Sequence, residues 1–514
     1  MTMKKIKTFI TIGLVGYEIE IEADMSKALP AIDIIGLPDV AIKEAKWRIR
    51  SCFKNAGIQL PNKRITLNLA PSDIKKVGTS FDFPMAVAIF WLLMWDDFED
   101  TDLFDDALFF GELGLDGSVK RVNGLLPSVI SAMKSWFTKF FVPAENLYEL
   151  EYIENIKIYP IAHFEQILWY FMEAKAFEVS ENTRSIRSLL SQKNVFDVDF
   201  AHIKWHFFAK RACAIAAAGF HNMLFVGAPG SGKTMLSKAI QSILPPLTFD
   251  EILETSQIYS LIGGLSKQQP LITKRPFRQI HHTASPISIV GGGRNLRPGE
   301  ISLAHKGILF FDELTEFPRD VLEVLRQPLE DKKVRISRVS GTVEYPAEFM
   351  FLASMNPCKC GYYQDPEREC SCNLNDIRRY QSKLSGPFLD RIDMILEVPR
   401  EKIEKILEPV LAETSDSLRE KVHRAWQIQQ ERYVNMPFTN NANIDAKYLY
   451  KFVPLNDETK LFLKDASERL VLSPRLVHKI MKLARTIADF EWDKELEIKH
   501  LAEAMQYRSK NFFV

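Results

Sequence analysis

The sequence has no excess of charge of either sign, because its 66 lysine and arginine residues are matched by 66 aspartate and glutamate residues. A chain with this balance is not basic overall, so any contact with nucleic acid has to come from a local patch. At 514 residues the chain is too long for one hydrophobic core, and two or three domains are expected.

Long apolar runs are missing as well. The longest uncharged run, residues 83–95, is shorter than the 18 or more residues needed to cross a bilayer, and we interpret it as a core helix. The first residues, KKIKTFITIGLVGY, resemble a signal peptide only faintly, because no small-residue cleavage site follows and the chain continues into the strand-like EIEIEAD. We therefore predict a first strand here and no membrane segment.

Cysteine is scarce, and four of the six cysteines lie between positions 358 and 372. The other two, Cys52 and Cys213, stand alone in helical patterns. This distribution argues against a disulfide framework and favours a reducing, cytoplasmic environment.

One stretch, by contrast, is rich in glycine: residues 222–234 read NMLFVGAPGSGKT. A strand pattern runs into a glycine-rich turn and then into a helix pattern, which is typical of a phosphate cradle. Backbone N–H groups converge on phosphate oxygens in such a turn, while Lys233 reaches the β- and γ-phosphates and Thr234 ligates Mg²⁺. The predicted nucleotide-binding residues are Gly227, Ala228, Pro229, Gly230, Ser231, Gly232, Lys233 and Thr234.

A second apolar run, residues 308–311, is followed directly by Asp312 and Glu313. If this run is a buried strand of the same sheet, it delivers two carboxylates to the edge that carries the cradle. Asp312 would then hold Mg²⁺ through water, and Glu313 would polarise the attacking water. A core strand that ends in a solvated acidic turn is the alternative.

Residues 1 to about 175 predict an α+β domain of short strands and helices. Pro38 and Asp39 predict the start of a helix, residues 64–69 predict a strand, and Asp116-Gly117 predicts a tight hairpin. No cluster of catalytic residues is evident in this part of the chain.

The remaining residues predict a linker and two further parts. Residues 176–200 are polar and are interpreted as a linker. In residues 201–400 strand patterns alternate with helix patterns, which predicts an α/β domain with a parallel sheet. In residues 401–514 apolar residues recur at helical spacing, which predicts a small helical bundle that serves as a lid.

Several motifs together identify a family. The chain contains, in this order, GAPGSGKT, GEISLAHKGILFFDE, RQPLED, ASMNPCKCGYY and LSGPFLDRID. It thereby resembles the ComM/YifB family of magnesium-chelatase-like AAA+ ATPases, and the amino-terminal FDFPMA and GELGLDGSVKRVNGLLP resemble the Lon-protease-like domain of that family. The resemblance covers nearly the whole chain and implies ATP and Mg²⁺ as cofactors and a homo-hexamer as the assembly.

The resemblance also implies roles for three residues that periodicity does not single out. Asn356 matches the sensor-1 residue that orients water against the γ-phosphate. Arg391 in LDRID matches an arginine finger that acts on ATP held by the neighbouring subunit, and Arg475 in LSPR matches the sensor-2 arginine of the lid. Where the family usually has a glycine-glutamine pair, this chain has Trp205 and His206, which leaves adenine recognition open.

The clustered cysteines form the pattern Cys358-Lys-Cys360, nine residues, Cys370-Ser-Cys372. Four thiolates suit a tetrahedral structural zinc site, although the CxC spacing is tighter than the usual CxxC. Disulfides and unliganded thiols are the alternatives, of which disulfides are disfavoured in a cytosolic ATPase.

Two segments are locally basic. The first, residues 274–297, carries Lys274, Arg275, Arg278, Arg294 and Arg297 with no acidic residue, and it contains His281-His282, which we interpret as structural or signalling. The second, KKVRISR, predicts a hairpin with the following GTVEY. Either segment could be an ordinary solvated face, but similar insertions line the pore of related AAA+ helicases. The predicted DNA contacts are Arg294, Arg297, Lys333, Arg335 and Arg338.

By resemblance, the protein is predicted to be a DNA motor that drives branch migration while incoming single-stranded DNA is integrated. A Lon-type protease would need a Ser–Lys dyad, but Ser80 stands at the nucleophile position and Leu126 at the lysine position. Two competing hypotheses are a magnesium-chelatase subunit and an ATPase that remodels protein partners.

Overall fold

The computed structural model describes residues 5–94, 104, 106–173, 175–181, 189–190, 195–293, 296–338, 341–400 and 413–508. Within these ranges the structure confirms the predicted mixture of α/β layers and a helical carboxy-terminal region. Among the described helices, none combines the length and the apolar composition that a bilayer crossing needs.

The amino-terminal half is built on a mixed sheet of eight strands. These are β1 Lys5–Ile12, β2 Val15–Ser26, β3 Ala31–Ile35, β4 Arg64–Ala70, β5 Ala107–Phe109, β8 Lys139–Pro143, β9 Lys157–Ile161 and β10 Ser180–Glu181. They lie in the order β10-β9-β8-β5-β1-β2-β4-β3. The predicted first strand is thus one arm of an antiparallel hairpin, since β1 pairs with β2 along its whole length.

Four helices accompany this sheet, namely α1 Val40–Asn55, α2 Asp82–Leu93, α3 Leu125–Lys134 and α4 Glu165–Glu173. Asp39 caps α1 as predicted, because its carboxylate accepts a hydrogen bond of 2.9 Å from the Ile42 N–H. The predicted core helix is α2, which is buried along nearly all of its length. A hairpin is present around Asp116-Gly117, with β6 Glu112–Leu113 paired with β7 Val119–Lys120, but residues 114–118 make its loop longer than the predicted two-residue turn.

The central part of the chain is built on a parallel sheet of five strands. These are β11 Met223–Val226, β12 Phe277–Ile280, β15 Ile308–Phe311, β18 Met350–Met355 and β19 Met394–Glu397. They lie in the order β12-β15-β18-β11-β19, and all pairs are parallel. Their carboxyl ends therefore meet at one edge, where the loops that follow β11, β15 and β18 lie side by side.

Short helices connect these strands: α5 Phe207–Gly219, α6 Lys233–Ile240, α7 Phe249–Leu261, α8 Pro286–Val290, α9 Glu300–Leu303, α10 Arg319–Val324, α11 Arg326–Asp331, α12 Leu374–Gln381 and α13 Gly386–Leu389. Two antiparallel ribbons project from this layer. One pairs β13 Gly291–Gly292 with β14 Arg297–Pro298, and the other pairs β16 Lys333–Arg338 with β17 Gly341–Pro346. The second ribbon confirms the hairpin predicted from KKVRISR and GTVEY.

The carboxy-terminal region is helical. Its helices are α14 Ser415–Arg432, α15 Leu449–Phe452, α16 Asp457–Arg469, α17 Pro474–Glu491 and α18 Ile498–Gln506. α17 has one strongly apolar face, and Leu483 and Ile487 on that face join the core that α5 forms behind the parallel sheet. The carboxy-terminal helices, which the sequence predicts to be a lid, thus pack on the central sheet through a continuous apolar core.

The amino-terminal half packs on the central part through a second shared core. Phe9 and Leu126 belong to the same buried cluster as Leu247 and Ile252, which flank and begin α7. Polar contacts accompany this core, since the Arg121 guanidinium donates to the Leu265 carbonyl at 3.0 Å. Residues 182–188 and 191–194 of the predicted linker lie outside the described residues.

Candidate active site

The glycine-rich turn lies between β11 and α6 at the carboxyl edge of the parallel sheet. Gly230 and Gly232 have φ of 79° and 91°, in the left-handed region that side chains with a Cβ rarely adopt. Gly227 is required for space, because a Cβ there would lie 2.3 Å from the Val398 carbonyl oxygen. There is therefore free space beside Gly230 and Gly232, whereas the backbone is closely packed at Gly227. This arrangement suits a turn that receives phosphates.

Polar groups of the turn are left for a ligand to satisfy. The Ser231 hydroxyl is buried and has no hydrogen-bond partner among the described residues. Pro229 packs against Gly361, and its carbonyl accepts a hydrogen bond of 3.1 Å from Arg400. A buried hydroxyl without a partner costs free energy, so this position fits phosphate oxygens that would accept from it.

Lys233 is held inside the turn. Its ammonium donates to the Gly227 and Ala228 carbonyls at 2.7 and 2.8 Å and to Asn356 Oδ1 at 3.3 Å. Burial lowers the pKa of Lys233 to about 8, against the opposing effect of the Asp312 carboxylate. An anionic phosphate beside the ammonium would compensate for its burial.

Thr234 and Asp312 supply two oxygen ligands at one point. Thr234 Oγ1 lies 3.1 Å from Asp312 Oδ2, although 78 positions separate the residues. Ser354, the penultimate residue of β18, donates its hydroxyl to Asp312 Oδ1 and fixes the carboxylate. Hard oxygen ligands beside a phosphate cradle fit Mg²⁺, so Thr234 and Asp312 are the residues that would hold it.

Glu313 follows Asp312 with φ of 53°, a left-handed conformation that turns its side chain away from the strand. Its carboxylate is 58% exposed, and Oε2 lies 3.9 Å from His282 Nδ1. Asn356 accepts a hydrogen bond from Lys233, so the turn, Glu313 and Asn356 all lie at the carboxyl edge of the sheet. An exposed carboxylate beside the phosphate site is suited to activating water.

The two predicted arginines lie together, and at the other edge of the sheet. Arg391 precedes β19, whose first residue Met394 pairs with Met223 of β11, so Arg391 stands at the amino edge. Its guanidinium forms an ion pair with Glu330, and Arg475 Nη2 donates to the same carboxylate at 2.9 Å. The four residues of β11 span roughly 13 Å, which separates both arginines from the cradle of their own chain.

The four clustered cysteines come together in the loop after β18. Their sulfur atoms all lie within 4.8 Å of one another, and none is in a disulfide. Cys358 Sγ is 3.3 Å from Cys360 Sγ and 3.7 Å from Cys370 Sγ. Tetrahedral zinc with bonds of about 2.3 Å would place sulfur atoms roughly 3.8 Å apart, so the donor set fits this metal.

Two arginines of the first basic segment are paired within the chain, which corrects the expectation that this whole segment is a basic surface. The Arg275 side chain is only 7% exposed, and it pairs with Glu251 and donates to the Pro245 and Lys306 carbonyls. Arg278 forms an ion pair of 2.6 Å with Glu300. Both guanidiniums are paired with carboxylates of the same chain, because a charge that loses water on folding has to be compensated. They do not belong to a DNA-binding surface.

The exposed basic residues of the two ribbons form one surface, which we call the basic ribbon surface. It consists of Arg297 on β14 and of Lys333, Arg335 and Arg338 on β16, all exposed, while Arg294 lies outside the described residues. The ribbons touch, since the Tyr345 hydroxyl donates to the Leu296 carbonyl at 2.8 Å.

One acid reduces the charge of this surface. The Glu344 carboxylate accepts from both Lys333 and Arg335. Three of the four cations lie on β16, and a single acid therefore leaves the second ribbon with a net charge of plus two over these residues.

Among the described residues, neither position 126 nor Lys76 supplies Ser80 with a lysine in the way that a Lon-type dyad would. Leu126, at the lysine position, is fully buried. Lys76 is also buried, and its ammonium donates to the Pro71 carbonyl instead.

Three residues around the cradle and the two arginines are not predicted from the sequence. Ser354 is a lone hydroxyl in the apolar run FMFLASM, and that polar interruption is a signal that could have found it. His282, interpreted above as structural or signalling, lies beside Glu313. Glu330 in RQPLED carries no signal, since the arginines it holds are distant in sequence. At the Trp205 position, the indole N–H is buried with no partner among the described residues.

Comparison with protein families matches three models to consecutive parts of the chain. The model for magnesium chelatase, subunit ChlI, matches residues 199–406, and the model for its carboxy-terminal region matches residues 412–508. A further model for subunit ChlI of Mg-chelatase matches residues 21–146.

Individual relatives match over nearly the full length. Competence protein ComM of Haemophilus influenzae is 37% identical over 99% of this chain and 98% of its own. The protein YifB of Escherichia coli is 37% identical over 99% of this chain and 97% of its own. The magnesium-chelatase 67 kDa subunit of Heliobacterium mobile is 23% identical over 30% of this chain and 27% of its own.

Proposed function

Since the chain belongs to the ComM/YifB family of magnesium-chelatase-like AAA+ ATPases, we propose that it is a hexameric DNA motor that uses ATP hydrolysis to drive branch migration. The observation that carries the DNA part of this proposal is the basic ribbon surface in a protein of zero net charge. The name of the Haemophilus influenzae relative, competence protein ComM, supports the same proposal.

ATP hydrolysis rests on the residues at the carboxyl edge of the sheet. The turn and Lys233 hold the phosphates, and Thr234 with Asp312 presents oxygen ligands for Mg²⁺, which when bound would neutralise charge on the phosphates. Glu313 accepts the proton of the attacking water, and Asn356 orients that water. Ser354 keeps Asp312 in place by donating to its carboxylate.

The position of Arg391 supports the proposed ring. This arginine lies at the edge of the sheet opposite to the cradle, so within one chain it cannot stabilise charge on the transferred phosphoryl group. In a closed ring of identical subunits, the amino edge of one subunit faces the cradle of the next, and every cradle receives an arginine. Arg391 is thereby proposed as the finger that acts on the ATP of the neighbour.

The test of the DNA part is the double variant Arg335→Ala/Arg338→Ala. Each phosphate that the protein neutralises contributes about −0.9 to the slope of log affinity against log salt for duplex DNA, or about −0.7 for single strands. The double variant should flatten this slope by roughly one to two units, weaken binding equally for all base sequences and abolish stimulation of ATPase activity by forked DNA. Basal hydrolysis should survive, because neither residue touches the phosphate site.

The matched control is Lys460→Ala/Lys464→Ala, which removes the same charge from exposed positions on α16 of the lid. This control should leave the salt slope and the DNA stimulation unchanged. If the ribbon variant also retains both, the basic ribbon surface is an ordinary solvated face, and the DNA proposal fails.

A structural zinc ion in the cysteine cluster is the second prediction. Four thiolates would close the tetrahedron and fix the loop between Asn356 and α12, so purified protein should contain about one zinc per chain. Metal analysis checks this, and Cys370→Ser/Cys372→Ser should lose the metal. Protein prepared without chelator or oxidant that contains no zinc would contradict the prediction.

A magnesium-chelatase-type ATPase is the second candidate, because the matching family models are named for that enzyme. The coverage favours the DNA motor, since the ComM relative aligns over 99% of this chain and the chelatase subunit over 30%. ATPase assays with forked DNA, and with a porphyrin and its partner subunits, separate the two candidates.

A further inference from the structure

Two arginines from distant parts of the chain share a single carboxylate. Glu330, at the end of α11, pairs with Arg391, which precedes β19, and with Arg475, in the first turn of α17. One oxygen serves each guanidinium, Oε2 for Arg391 and Oε1 for Arg475. The carboxylate thus connects the central α/β layer with the lid.

The two arginines are held to different degrees. Arg391 is 14% exposed, and besides Glu330 it donates to the Arg326 carbonyl at 3.1 Å and the Pro387 carbonyl at 2.5 Å. Arg475 is 45% exposed, and among the described residues its guanidinium is anchored by Glu330 alone. Without Glu330, Arg391 would keep two anchors and Arg475 would keep none within that part of the chain.

The pair of guanidiniums suits an anion that arrives from outside. Both arginines line a cavity of about 400 Å³ between the central layer and the lid, whose other charged residues are Lys332, Lys479 and Lys482 and the acids Glu330, Glu348, Asp393 and Asp445. Guanidiniums are weakly hydrated and bind phosphates through paired donors, so two of them side by side form a receptor for a phosphate group.

We propose that Glu330 is a positioning residue that couples Arg475 to Arg391, so that one subunit presents both guanidiniums together to the nucleotide of its neighbour. This inference rests on the proposed ring ATPase and deepens it. Glu330 itself touches no nucleotide. Its carboxylate sets the distance between the two arginines and carries any displacement of the lid to the arginine finger, and the γ-phosphate of the neighbour takes over part of the charge that Glu330 compensates.

The test is Glu330→Gln, which keeps the shape of the side chain and removes its charge at a half-exposed position. The maximal rate of ATP hydrolysis should fall by about 10²-fold, the cost of displacing a catalytic group by about 1 Å. ATP affinity should stay within about threefold of the parent, because the cradle of the same chain is intact. The matched control is Glu323→Gln, since Glu323 pairs with Arg326 at similar exposure, and this variant should hydrolyse ATP normally.

Mixed rings add a readout that a purely structural role would not change. Lys233→Ala subunits bind no ATP but present an intact pair of arginines, so mixing them with Glu330→Gln subunits should restore hydrolysis. Arg391→Ala mixed with Lys233→Ala sets the level of restoration to expect. The double variant Lys233→Ala/Glu330→Gln, when mixed with Glu330→Gln subunits, should not restore hydrolysis.

The outcomes separate the two proposals. If the Arg391→Ala mixture is restored and the Glu330→Gln mixture is not, Glu330 acts within its own chain and our inference is wrong, while the ring ATPase stands. A parent-like rate in Glu330→Gln alone also overturns the inference. If neither mixture is restored, the action of Arg391 on the neighbour is wrong, and the inference fails with it.

Discussion

Replacing Glu313 with glutamine is expected to leave ATP bound and to slow its hydrolysis by about 10²- to 10⁴-fold, the usual contribution of a general base. The carboxylate is exposed beside the cradle, and a carboxylate can act as a general base whereas an amide cannot. Lys233→Ala, by contrast, should abolish nucleotide binding, because the ammonium is held inside the turn where the phosphates would lie. Equilibrium binding of a fluorescent ATP analogue and steady-state phosphate release measure the two effects separately.

A matched control for the first variant is Glu316→Gln, three residues further along the same turn and also exposed. It removes an equal charge near the site, so hydrolysis at the parent rate is expected. Assembled rings should accumulate in Glu313→Gln, because ATP stays bound at the subunit contacts. Parent-like hydrolysis by Glu313→Gln would show that another group activates the water.

Asp393→Asn is expected to destabilise the docking of the lid by roughly 3–5 kcal/mol, the cost of breaking a buried ion pair from one side. Asp393 accepts from the Asn222 N–H at 2.9 Å and pairs with Lys479 of α17 at 2.7 Å. Burial opposes its ionisation, but Lys479 and His221 outweigh that effect and hold the pKa of Asp393 well below its usual range. The asparagine would leave Lys479 buried without a counter-charge.

Hydrogen exchange of the α17 amides, compared with urea unfolding monitored at the same pH, checks this prediction. Because the folded pKa of Asp393 is lowered, its contribution should be complete above the usual aspartate pKa of about 4 and should disappear as the pH falls below it. Asp457→Asn is the control, since Asp457 forms an exposed pair of 3.7 Å with Lys460 within the lid, and it should change little. Unchanged protection of α17 in Asp393→Asn would mean that the apolar core alone holds the lid.

The parts of the site that can be predicted from the sequence are contiguous in the chain. The cradle, Lys233 and Thr234 form one strand, turn and helix, so their geometry follows from glycine positions and apolar periodicity without knowledge of the rest of the fold. Asp312 and Glu313 are within reach for a related reason, because parallel strands bring their carboxyl ends to one edge. The structure confirms the strands and the parallel sheet on which that reasoning depends.

Charged residues are the part that pattern alone cannot sort. Arg275 and Arg335 are both arginines in basic segments, yet one is buried against Glu251 and the other is exposed on a ribbon. An arginine in the sequence indicates a positive charge but not the group that pairs with it. The partner of Arg275 lies on a helix more than twenty positions earlier in the chain. Only the packing of α7 against the parallel sheet decides which charges are compensated.

The sequence by itself thus determined the phosphate cradle, the carboxylates that follow β15 and the layered α/β architecture, since each depends on residues close together in the chain or on a simple period. The tertiary structure alone decided that Glu330 joins Arg391 to Arg475, and that both arginines stand at the edge opposite to the cradle. The physical reason is that an ion pair is selected by distance in space and by the loss of water around it. Neither quantity can be read from residues that lie 61 and 145 positions from Glu330.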